Sequence, residues 1–394
     1  MSRRVLVAGV GMVAFATPRT SQTYDVLGEQ ATRAALADAG VDYAHLRQAY
    51  VGYVYGDSTC GQAALYRVGQ TGIPIVNVNN NCSTGSSALF LARQAVESGA
   101  ADCVLALGFE QMRRGALTAQ WSDRPTPFDR FDEVSTRIQG GSDAPMAARY
   151  FGGAGAAYAA RFGTRPETFA KIAVKARRHA ANNPYAVFRD PVTVEEVLAS
   201  PPIYGPLTRL QCCPPTCGAA AAVLCDEDFA RRHGLRTDVA IRAQAMTTDQ
   251  PSTFDSGDPR ALVGYHMSRA AARQVYESSG VGPEDLRVVE LHDCFTTNEL
   301  LTYEAIGLTP EGTAEKFIDD GDNTYGGRVV TNPSGGLLSK GHPLGATGLA
   351  QCAELVWQLR GQAGARQVAD ATVALQHNIG LGGAAVVTLY EKLS

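Results

Sequence analysis

The sequence lacks any run of 18 apolar residues, which excludes a transmembrane helix. It also lacks an excess of charge of one sign. The 35 basic and 39 acidic side chains give a net charge of −4, and a pI near 6.0 argues against a protein that binds nucleic-acid backbones. No signal-peptide cleavage site follows the short, glycine-interrupted apolar stretch at the N-terminus. These absences predict a cytoplasmic protein with no membrane span.

The composition is that of a globular protein rather than of a disordered tail. Apolar residues make up 45% of the 394 residues and charged residues 19%, enough to bury a sizeable core. At about 150 residues per domain, the length suggests two or three domains. The nine cysteines form an odd set in a chain without an export signal, so they predict free thiols, metal ligands or nucleophiles rather than a disulfide framework.

Strand and helix patterns alternate along the first half, which predicts an α/β fold with parallel strands. Strands are predicted at 5–10, 49–54, 73–78 and 103–107, and helices at 24–39 and 84–98. The second half shows the same order, with strands at 239–245, 288–291 and 373–376 and a helix at 268–279. Gly40 and Leu46 recur as Gly280 and Leu286, each 240 positions later. This favours an internal duplication over a chance match of two short anchors.

The composition changes between the two halves, which predicts an insertion. The predicted domains are an N-terminal half at 1–118 and 205–235, an inserted loop domain at 119–204, and a C-terminal half at 236–394. The first half resumes with the buried strand pattern that begins at Gly218.

Cys82 lies where a strand ends and a helix begins, in the segment NVNNNCSTGSS. The positive end of a helix dipole and free backbone N–H groups favour a thiolate there. In the alternative interpretation, Ser83 or Thr84 caps the helix and Cys82 is a buried small hydrophobe. The segment alone leaves both open.

His342 lies at a second glycine-rich helix start, in SKGHPLGATG. A neutral imidazole can accept a thiol proton there. The duplication makes this position equivalent to that of Cys82, so a pseudo-two-fold axis could bring the two side chains together. A packing histidine beside a glycine turn is the alternative.

Two further segments place polar residues just after strands, where open α/β sheets bind ligands. One is VVELHDCF, which contains His292 and Cys294. The other is LQHNIGLGG, which contains His377 and Asn378 and whose glycines can expose N–H groups to an oxyanion. Polar residues that merely close a strand are the alternative for both segments.

Other chemistries have weaker signals. Cys212, Cys213 and Cys217 suggest a metal, but a closed zinc site needs a second ligand pair. The segment VAGVG is too short for a dinucleotide fingerprint. We therefore expect no metal and no bound cofactor.

Taken together, the motifs resemble the thiolase superfamily, and within it the sterol carrier protein X-type 3-oxoacyl-CoA thiolases. The similar segments include HDCFTTNELLTYEA, GDNTYGG, NPSGGLLSKGHPLGATGLAQCAEL and LQHNIGLGG. The resemblance implies a five-layered αβαβα fold of two similar halves with an inserted loop domain. It also implies a homodimer or tetramer that uses acyl-CoA and coenzyme A as substrates, in fatty-acid or steroid side-chain degradation.

The resemblance also implies roles for individual residues. Cys82 would be the nucleophile that His342 activates, and His292 and His342 would donate hydrogen bonds to the enolate of acetyl-CoA. Cys294 would be the general acid and base. The backbone N–H of Cys82, with that of Ile379 or Gly380, would form a second oxyanion hole.

Four basic residues of the loop domain are candidates for coenzyme A phosphates: Lys171, Lys175, Arg177 and Arg178. The chain departs from the family at Cys217, where an aspartate is usual. It also ends at Ser394, without the lipid-transfer domain of the two-domain relatives, so such a domain or another protein could act in trans.

Two other functions stay open. Some bacterial relatives are carbon–carbon lyases, retro-aldolases that act on steroid-CoA esters with a partner protein. Those have lost the nucleophilic cysteine, whereas both cysteines are present here. The third hypothesis is an acyl-CoA-binding scaffold without turnover.

Overall fold

A computed structural model describes residues 3–113 and 120–393. The strands in this part of the chain are β1 (Val5–Met12), β2 (Gln48–Gly52), β3 (Ile75–Val78), β4 (Cys103–Glu110), β5 (Pro202–Tyr204), β6 (Leu207–Thr208), β7 (Gly218–Asp226), β8 (Val239–Thr247), β9 (Val288–Glu290), β10 (Val330–Thr331), β11 (Val373–Gly380) and β12 (Ala384–Lys392).

The α-helices of the same part are α1 (Tyr24–Ala39), α2 (Cys60–Tyr66), α3 (Thr84–Glu97), α4 (Asp129–Gln139), α5 (Met146–Phe162), α6 (Pro166–Ala180), α7 (Val194–Ala199), α8 (Glu227–His233), α9 (Pro251–Asp255), α10 (Pro259–Leu262), α11 (Tyr265–Ser279), α12 (Thr296–Ala305), α13 (Ala314–Asp319), α14 (Gly336–Ser339) and α15 (Thr347–Arg360). The strands and helices predicted from the two periodicities are present, with ends shifted by a few residues.

The strand order demonstrates the duplication. The first half runs β3-β2-β4-β7-β1 and the second half β10-β9-β11-β12-β8. Counted along each half, both orders are 3-2-4-5-1, and each pair of neighbours is parallel or antiparallel in the same way in both halves. Strands β1 and β8 pair at the centre and join the halves into one sheet of ten strands.

Helices cover the sheet in layers, as the predicted αβαβα architecture requires. Helix α1 packs on β1 and β7, and α11 packs on β8 and β12. The two equivalent helices α3 and α15 pack against each other and contact strands of both halves. Nearly every residue of α15 is buried, as expected for a helix of the central layer. The helix starts that follow Cys82 and His342 therefore meet in the middle of the protein.

Left-handed backbone occurs shortly after the third strand of each half. Asn81 follows β3 and Asn332 follows β10, and each has a φ of 51°. Asparagine tolerates this conformation better than most residues because its short polar side chain bonds locally. The turn at Asn81 aims the next residue, Cys82, at the interface between the halves.

The long excursion of the first half lies between β4, which ends at Glu110, and β7, which begins at Gly218. It contains α4 to α7 and the β5–β6 hairpin, and α5 and α6 pack on α12 of the other half. The predicted boundary between residues 204 and 205 falls inside that hairpin, and the chain returns to the sheet at Gly218, where the strand pattern predicted it. The predicted boundary between residues 118 and 119 lies outside the described residues. Within the described ranges, none of the helices combines the length and the apolar content that a membrane span would need.

Candidate active site

Cys82 is held by a turn whose hydroxyl groups bond backward along the chain. The Ser83 hydroxyl donates to the Asn80 carbonyl oxygen at 2.9 Å, and the Thr84 hydroxyl donates to the Asn81 carbonyl oxygen at 2.6 Å. Neither side chain accepts a hydrogen bond from the first N–H groups of α3. The capping role considered as the alternative for these two residues is therefore not the one they play.

The loop after β9 carries His292, Asp293 and Cys294 and is fastened to the loop that carries His342. The buried Asp293 carboxylate accepts hydrogen bonds from the N–H groups of Leu337 and Leu338, at 2.7 and 3.4 Å. A side chain at residue 336 would collide with that carboxylate, since an added Cβ would lie 2.1 Å from Asp293 Oδ2. The glycine there allows the two loops to touch.

Two buried carboxylates hold the loop that carries His342 through hydrogen bonds and an ion pair. Glu290 accepts hydrogen bonds from the N–H and hydroxyl of Ser334 and pairs with Lys340 at 3.4 Å. Glu110, at the end of β4, accepts from the N–H of Gly345 at 3.0 Å and from two N–H groups just after β2. The buried Glu110 therefore joins the two halves within the site, a role that sequence reasoning missed.

The structure brings the four predicted catalytic side chains together around one cavity. Cys82 Sγ, one ring nitrogen of His292 and one ring nitrogen of His342 lie within 4.8 Å of one another, and Cys294 lines the same cavity. The rings of His292 and His342 meet edge to face, with 5.1 Å between their centroids. The cavity measures about 340 Å³, within the usual range for a ligand pocket. Its lining is mainly apolar and includes Met112, Phe128, Met146, Phe151, Phe295 and Leu344.

The hydrogen bonds of His342 determine which ring nitrogen carries the proton. The Thr347 hydroxyl donates to the Pro343 carbonyl oxygen at 3.0 Å, so its oxygen accepts from His342 Nδ1 at 2.7 Å. The proton therefore lies on Nδ1, and Nε2 has a free lone pair. Among the described residues, that buried Nε2 has no hydrogen-bond partner. It is placed to accept the proton of a thiol.

The helix start that favours a thiolate at Cys82 is opposed by the burial of the thiol. Burial, and then the nearby Glu110 carboxylate, raise the pKa of the Cys82 thiol to about 12. Burial lowers the pKa of His342 to about 3. Both shifts favour the neutral form, because burial disfavours the charged form of each group. A Cys82 thiolate therefore forms only when a base accepts the thiol proton.

A third thiol stands beside the two predicted ones. The Cys213 N–H donates to the Cys294 carbonyl oxygen at 2.8 Å, and both residues line the cavity. Burial and neighbouring thiols, including Cys82, raise the pKa of both groups well above the ordinary range. Cys217 instead lies deeper, with its thiol against the Met112 carbonyl oxygen at 3.4 Å. The cluster considered for a metal is thus divided between two places.

The segment from His377 to Gly380 belongs to β11 rather than to a turn, which corrects that part of the prediction. His377 is buried, bonds to Ser268 through Nε2 at 2.9 Å, and is not among the described residues that line the cavity. Ile379 does line it. Gly380 has no room for a side chain, because an added Cβ would lie 2.1 Å from the Asn80 carbonyl oxygen. Whether these N–H groups form an oxyanion hole stays a prediction.

The four candidate phosphate contacts on α6 lie elsewhere. Lys175 is buried and paired with Glu299 and Thr331, so the prediction that it binds a phosphate is wrong. Lys171 pairs with Asp319 at 2.5 Å. The Arg177 guanidinium lies over the Phe188 ring, and that of Arg178 donates to the Thr324 hydroxyl. None of the four is among the described residues that line the cavity.

Arg209 was missed by sequence reasoning. It is exposed, lines the cavity, and forms no ion pair with another residue in the described part of the chain. An isolated arginine carries no pattern in sequence, so only the fold could reveal its place at the cavity.

Two family matches together cover most of the chain. The thiolase N-terminal domain matches residues 5–228, and the thiolase C-terminal domain-like family matches residues 253–391.

Individual proteins agree with these matches. Sterol carrier protein 2 of Rattus norvegicus is 57% identical over 98% of this chain and 72% of its own length. The benzoylsuccinyl-CoA thiolase subunit BbsB of Thauera aromatica is 38% identical over 97% of this chain and 96% of its own. The solved Ltp2-ChsH2(DUF35) aldolase superposes with a TM-score of 0.83 at 25% identity, covering 99% of this chain and 98% of that one. The resemblance inferred from the motifs is confirmed, and the chain belongs to the thiolase family.

Proposed function

We propose that this protein is a 3-oxoacyl-CoA thiolase, an acetyl-CoA C-acyltransferase that cleaves 3-oxoacyl-CoA with coenzyme A. The observation that carries the proposal is the meeting of Cys82, His292, Cys294 and His342 at one mainly apolar cavity. It supplies a nucleophile, a base with a free lone pair, a second thiol and room for an acyl chain. The substrates would be fatty acyl or steroid side-chain CoA esters.

In the first step, Cys82 Sγ attacks the C3 carbonyl carbon of the substrate while its proton passes to His342 Nε2. The bond between C2 and C3 then breaks, which leaves an acyl-Cys82 thioester and the enolate of acetyl-CoA. His342 is now an imidazolium and donates from Nε2 to the enolate oxygen, and His292 donates a second hydrogen bond. The N–H groups of Cys82 and of Ile379 or Gly380 would stabilise the earlier tetrahedral oxyanion.

Cys294 completes the cycle as acid and then as base. Its thiol gives a proton to C2 of the enolate, and acetyl-CoA leaves. The Cys294 thiolate takes the proton of the incoming coenzyme A thiol, whose sulfur attacks the acyl-Cys82 carbonyl. The shortened acyl-CoA leaves, and Cys82 recovers its proton from His342. The raised pKa of Cys294 suits this role, since a weak acid becomes a strong base once ionised.

Replacing Cys294 by alanine should separate the two half-reactions. We expect Cys294→Ala to keep acylation of Cys82 by an activated thioester, because the nucleophile and His342 are intact. Hydrogen exchange at the acetyl-CoA methyl group should fall about 10²- to 10⁴-fold, the usual contribution of one acid or base. Deuterium uptake measured by mass spectrometry tests this. Cys213→Ser is the matched thiol control, and normal exchange in Cys294→Ala would remove Cys294 from its role.

Arg209 is proposed to bind a phosphate of coenzyme A at the cavity, since it is exposed there without a paired carboxylate. We expect Arg209→Ala to raise the KM for coenzyme A about tenfold and to leave kcat within about twofold, because a lost ion contact weakens binding of both ground and transition states. The partly exposed Lys171, which is already paired with Asp319, provides the control Lys171→Ala. An unchanged KM in Arg209→Ala would contradict this contact.

We also propose that the protein is a homodimer. Strand β3 ends the sheet, and exposed Val76 and Tyr66 lie on it and beside it. An edge strand with exposed apolar side chains favours pairing with a second copy. Sedimentation velocity of the full chain tests this, and a monomer at micromolar concentration would contradict it.

A carbon–carbon lyase is the second candidate function, favoured by the structural similarity to the Ltp2-ChsH2(DUF35) aldolase. A retro-aldol reaction needs a base and an oxyanion hole but no acyl-cysteine. The presence of Cys82 beside an unprotonated His342 Nε2 favours the thiolase.

Thiolysis of short, long and steroid-derived 3-oxoacyl-CoA esters by the purified protein tests the function. Acetyl-CoA formed with free coenzyme A is the readout, and the preferred ester would identify the pathway. Matched 3-hydroxyacyl-CoA esters without coenzyme A test the lyase. The assays are repeated with a lipid-transfer or DUF35-type partner protein added. If the protein then binds the esters but shows neither turnover nor a Cys82 adduct, both the thiolase and the lyase are overturned, and a scaffold is supported.

A further inference from the structure

His292 has a buried network behind it that the proposed reaction does not yet use. We propose that Asn378 is a positioning residue which holds His292 in the tautomer protonated at Nε2, and that Gln376 and Ser86 set the direction of the Asn378 amide. The inference rests on the proposed function, because it concerns the hydrogen bond that His292 gives to the enolate.

The network starts at a backbone carbonyl, which can only accept. The Gln376 side-chain nitrogen lies 2.8 Å from the Gly348 carbonyl oxygen, so the amide nitrogen must face it. The Gln376 oxygen then faces Tyr390, whose hydroxyl donates to it at 2.5 Å. The second N–H of Gln376 points at Ser86 Oγ, 2.8 Å away. The orientation of Gln376 is therefore fixed from both ends.

The hydroxyl group of Ser86 sets the orientation of the Asn378 amide. Because its oxygen accepts from Gln376, the Ser86 hydroxyl hydrogen is free to donate to Asn378, 2.8 Å away. The atom that receives it must be the amide oxygen, Oδ1. The amide nitrogen of Asn378 then faces His292 Nδ1 at 2.8 Å. An NH₂ group can only donate, so His292 Nδ1 must accept and the ring proton lies on Nε2.

The two histidines of the site thus have opposite tautomers. Thr347 leaves His342 with a lone pair at Nε2, as a base requires. Asn378 leaves His292 with a hydrogen at Nε2, as an oxyanion donor requires. The same assignment opposes a metal ion between them, since a metal-bound Nε2 would need Nδ1 to donate to an acceptor. Burial holds the pKa of His292 well below its usual range, so the tautomer rather than a charge decides its role.

Because the network is buried, water cannot hydrogen-bond to any group that a misdirected amide would leave unpaired. Ser86, Gln376 and Asn378 are all buried. Helices α3 and α15 approach so closely here that a Cβ on Gly348 would lie 2.1 Å from Ser86 Oγ. A misdirected amide would leave buried polar groups unpaired, which is costly because no solvent can replace the lost hydrogen bonds.

The isosteric change Asn378→Asp tests the inference. A carboxylate accepts from His292 Nδ1, so the neutral ring should carry its proton there and present a lone pair to the enolate. We expect kcat to fall about 10²- to 10³-fold at pH 8, the loss typical of one oxyanion-hole donor, with KM nearly unchanged. At lower pH the carboxylate favours the doubly protonated ring, which regains the Nε2 hydrogen. The activity of Asn378→Asp should therefore rise as the pH falls, a limb that the wild type lacks.

Nitrogen NMR of ¹⁵N-histidine-labelled protein reads the tautomer without any turnover, with the His292 signals assigned from their loss in His292→Gln. The wild type should show a protonated Nε2, and Asn378→Asp a protonated Nδ1 at pH 8. A wild-type Nδ1 proton, or wild-type kcat in Asn378→Asp, would overturn the inference. Because the NMR readout needs no substrate, a protein with the expected tautomer but no thiolysis would count against the proposed function alone.

Two further variants complete the test. Ser86→Ala removes the hydrogen that orients the Asn378 amide, and we expect signals of both tautomers and a smaller loss of kcat, about tenfold. It decides the question if Asn378→Asp does not fold, since a single Nε2 tautomer with unchanged kcat would then refute the relay. Ser268→Ala is the matched control, because it removes a buried hydroxyl from the neighbouring His377 and should leave the His292 signals and kcat unchanged.

Discussion

Replacement of Cys82 by serine should abolish acyl transfer, with a loss of about 10⁴-fold or more in kcat/KM. Removal of the nucleophile from a covalent mechanism typically has an effect of this size. A serine hydroxyl fits the site but is a far weaker nucleophile, and its proton is harder for a buried neutral imidazole to remove. Acetyl-CoA formation and the acyl adduct on the intact protein are the two measurements.

The control for this experiment is Cys60→Ser, a buried thiol outside the cavity. It should keep both turnover and adduct. Thiolysis by Cys82→Ser at a wild-type rate would refute the proposed mechanism. Retained cleavage of 3-hydroxyacyl esters, without an adduct, would favour the lyase instead.

Replacement of His342 by alanine should have the next largest effect, about 10²- to 10⁴-fold in the rate of acylation, because its unpartnered Nε2 is the atom proposed to receive the thiol proton. The pH dependence should change as well. Burial raises the pKa of Cys82 to about 12, so without a base the thiolate fraction, and with it the rate, should increase tenfold per pH unit over the accessible range. The wild type should lack this slope.

Single-turnover acylation, followed by mass spectrometry between about pH 6 and 9, measures the fall in rate and the change in pH dependence. Most proteins stay folded over roughly this pH range. His266→Ala, a change to a histidine away from the cavity, is the control and should behave as the wild type. A flat profile in His342→Ala, at a rate near that of the wild type, would assign the base elsewhere.

The fold was largely accessible from sequence, because its elements are long, periodic and repeated. Helix 24–39 was predicted with both ends correct, since Gly40 adopts a left-handed φ of 70° there. The anchors 240 positions apart predicted a symmetry that the strand order of both halves then showed. The return at Gly218 was correct, whereas the inserted segment, with little periodic pattern, was bounded less well.

The sequence predicted which residues form the site, but not their protonation or their buried partners. Motifs brought Cys82, His292, Cys294 and His342 together, and the fold confirms that they share a cavity. The burial that raises the pKa of Cys82 could not be predicted, because a sequence shows the helix start but not the depth of the thiol. Lys175 failed for the same reason, since the pattern that places a lysine on a basic helix does not show its buried partner Glu299.

The position of the site at the junction of the two halves links ligand binding to the contact between them. The proposed nucleophile Cys82 comes from one half and the proposed base His342 from the other, and Glu110 and Gly345 bridge the halves by a hydrogen bond. Competence is therefore a property of the interface between α3 and α15, and neither half alone could perform the reaction. By thermodynamic linkage, an ester that contacts both sides tightens that interface by the free energy with which it prefers the docked arrangement. A substrate bound in this way would stabilise the contact between the two halves as well as react.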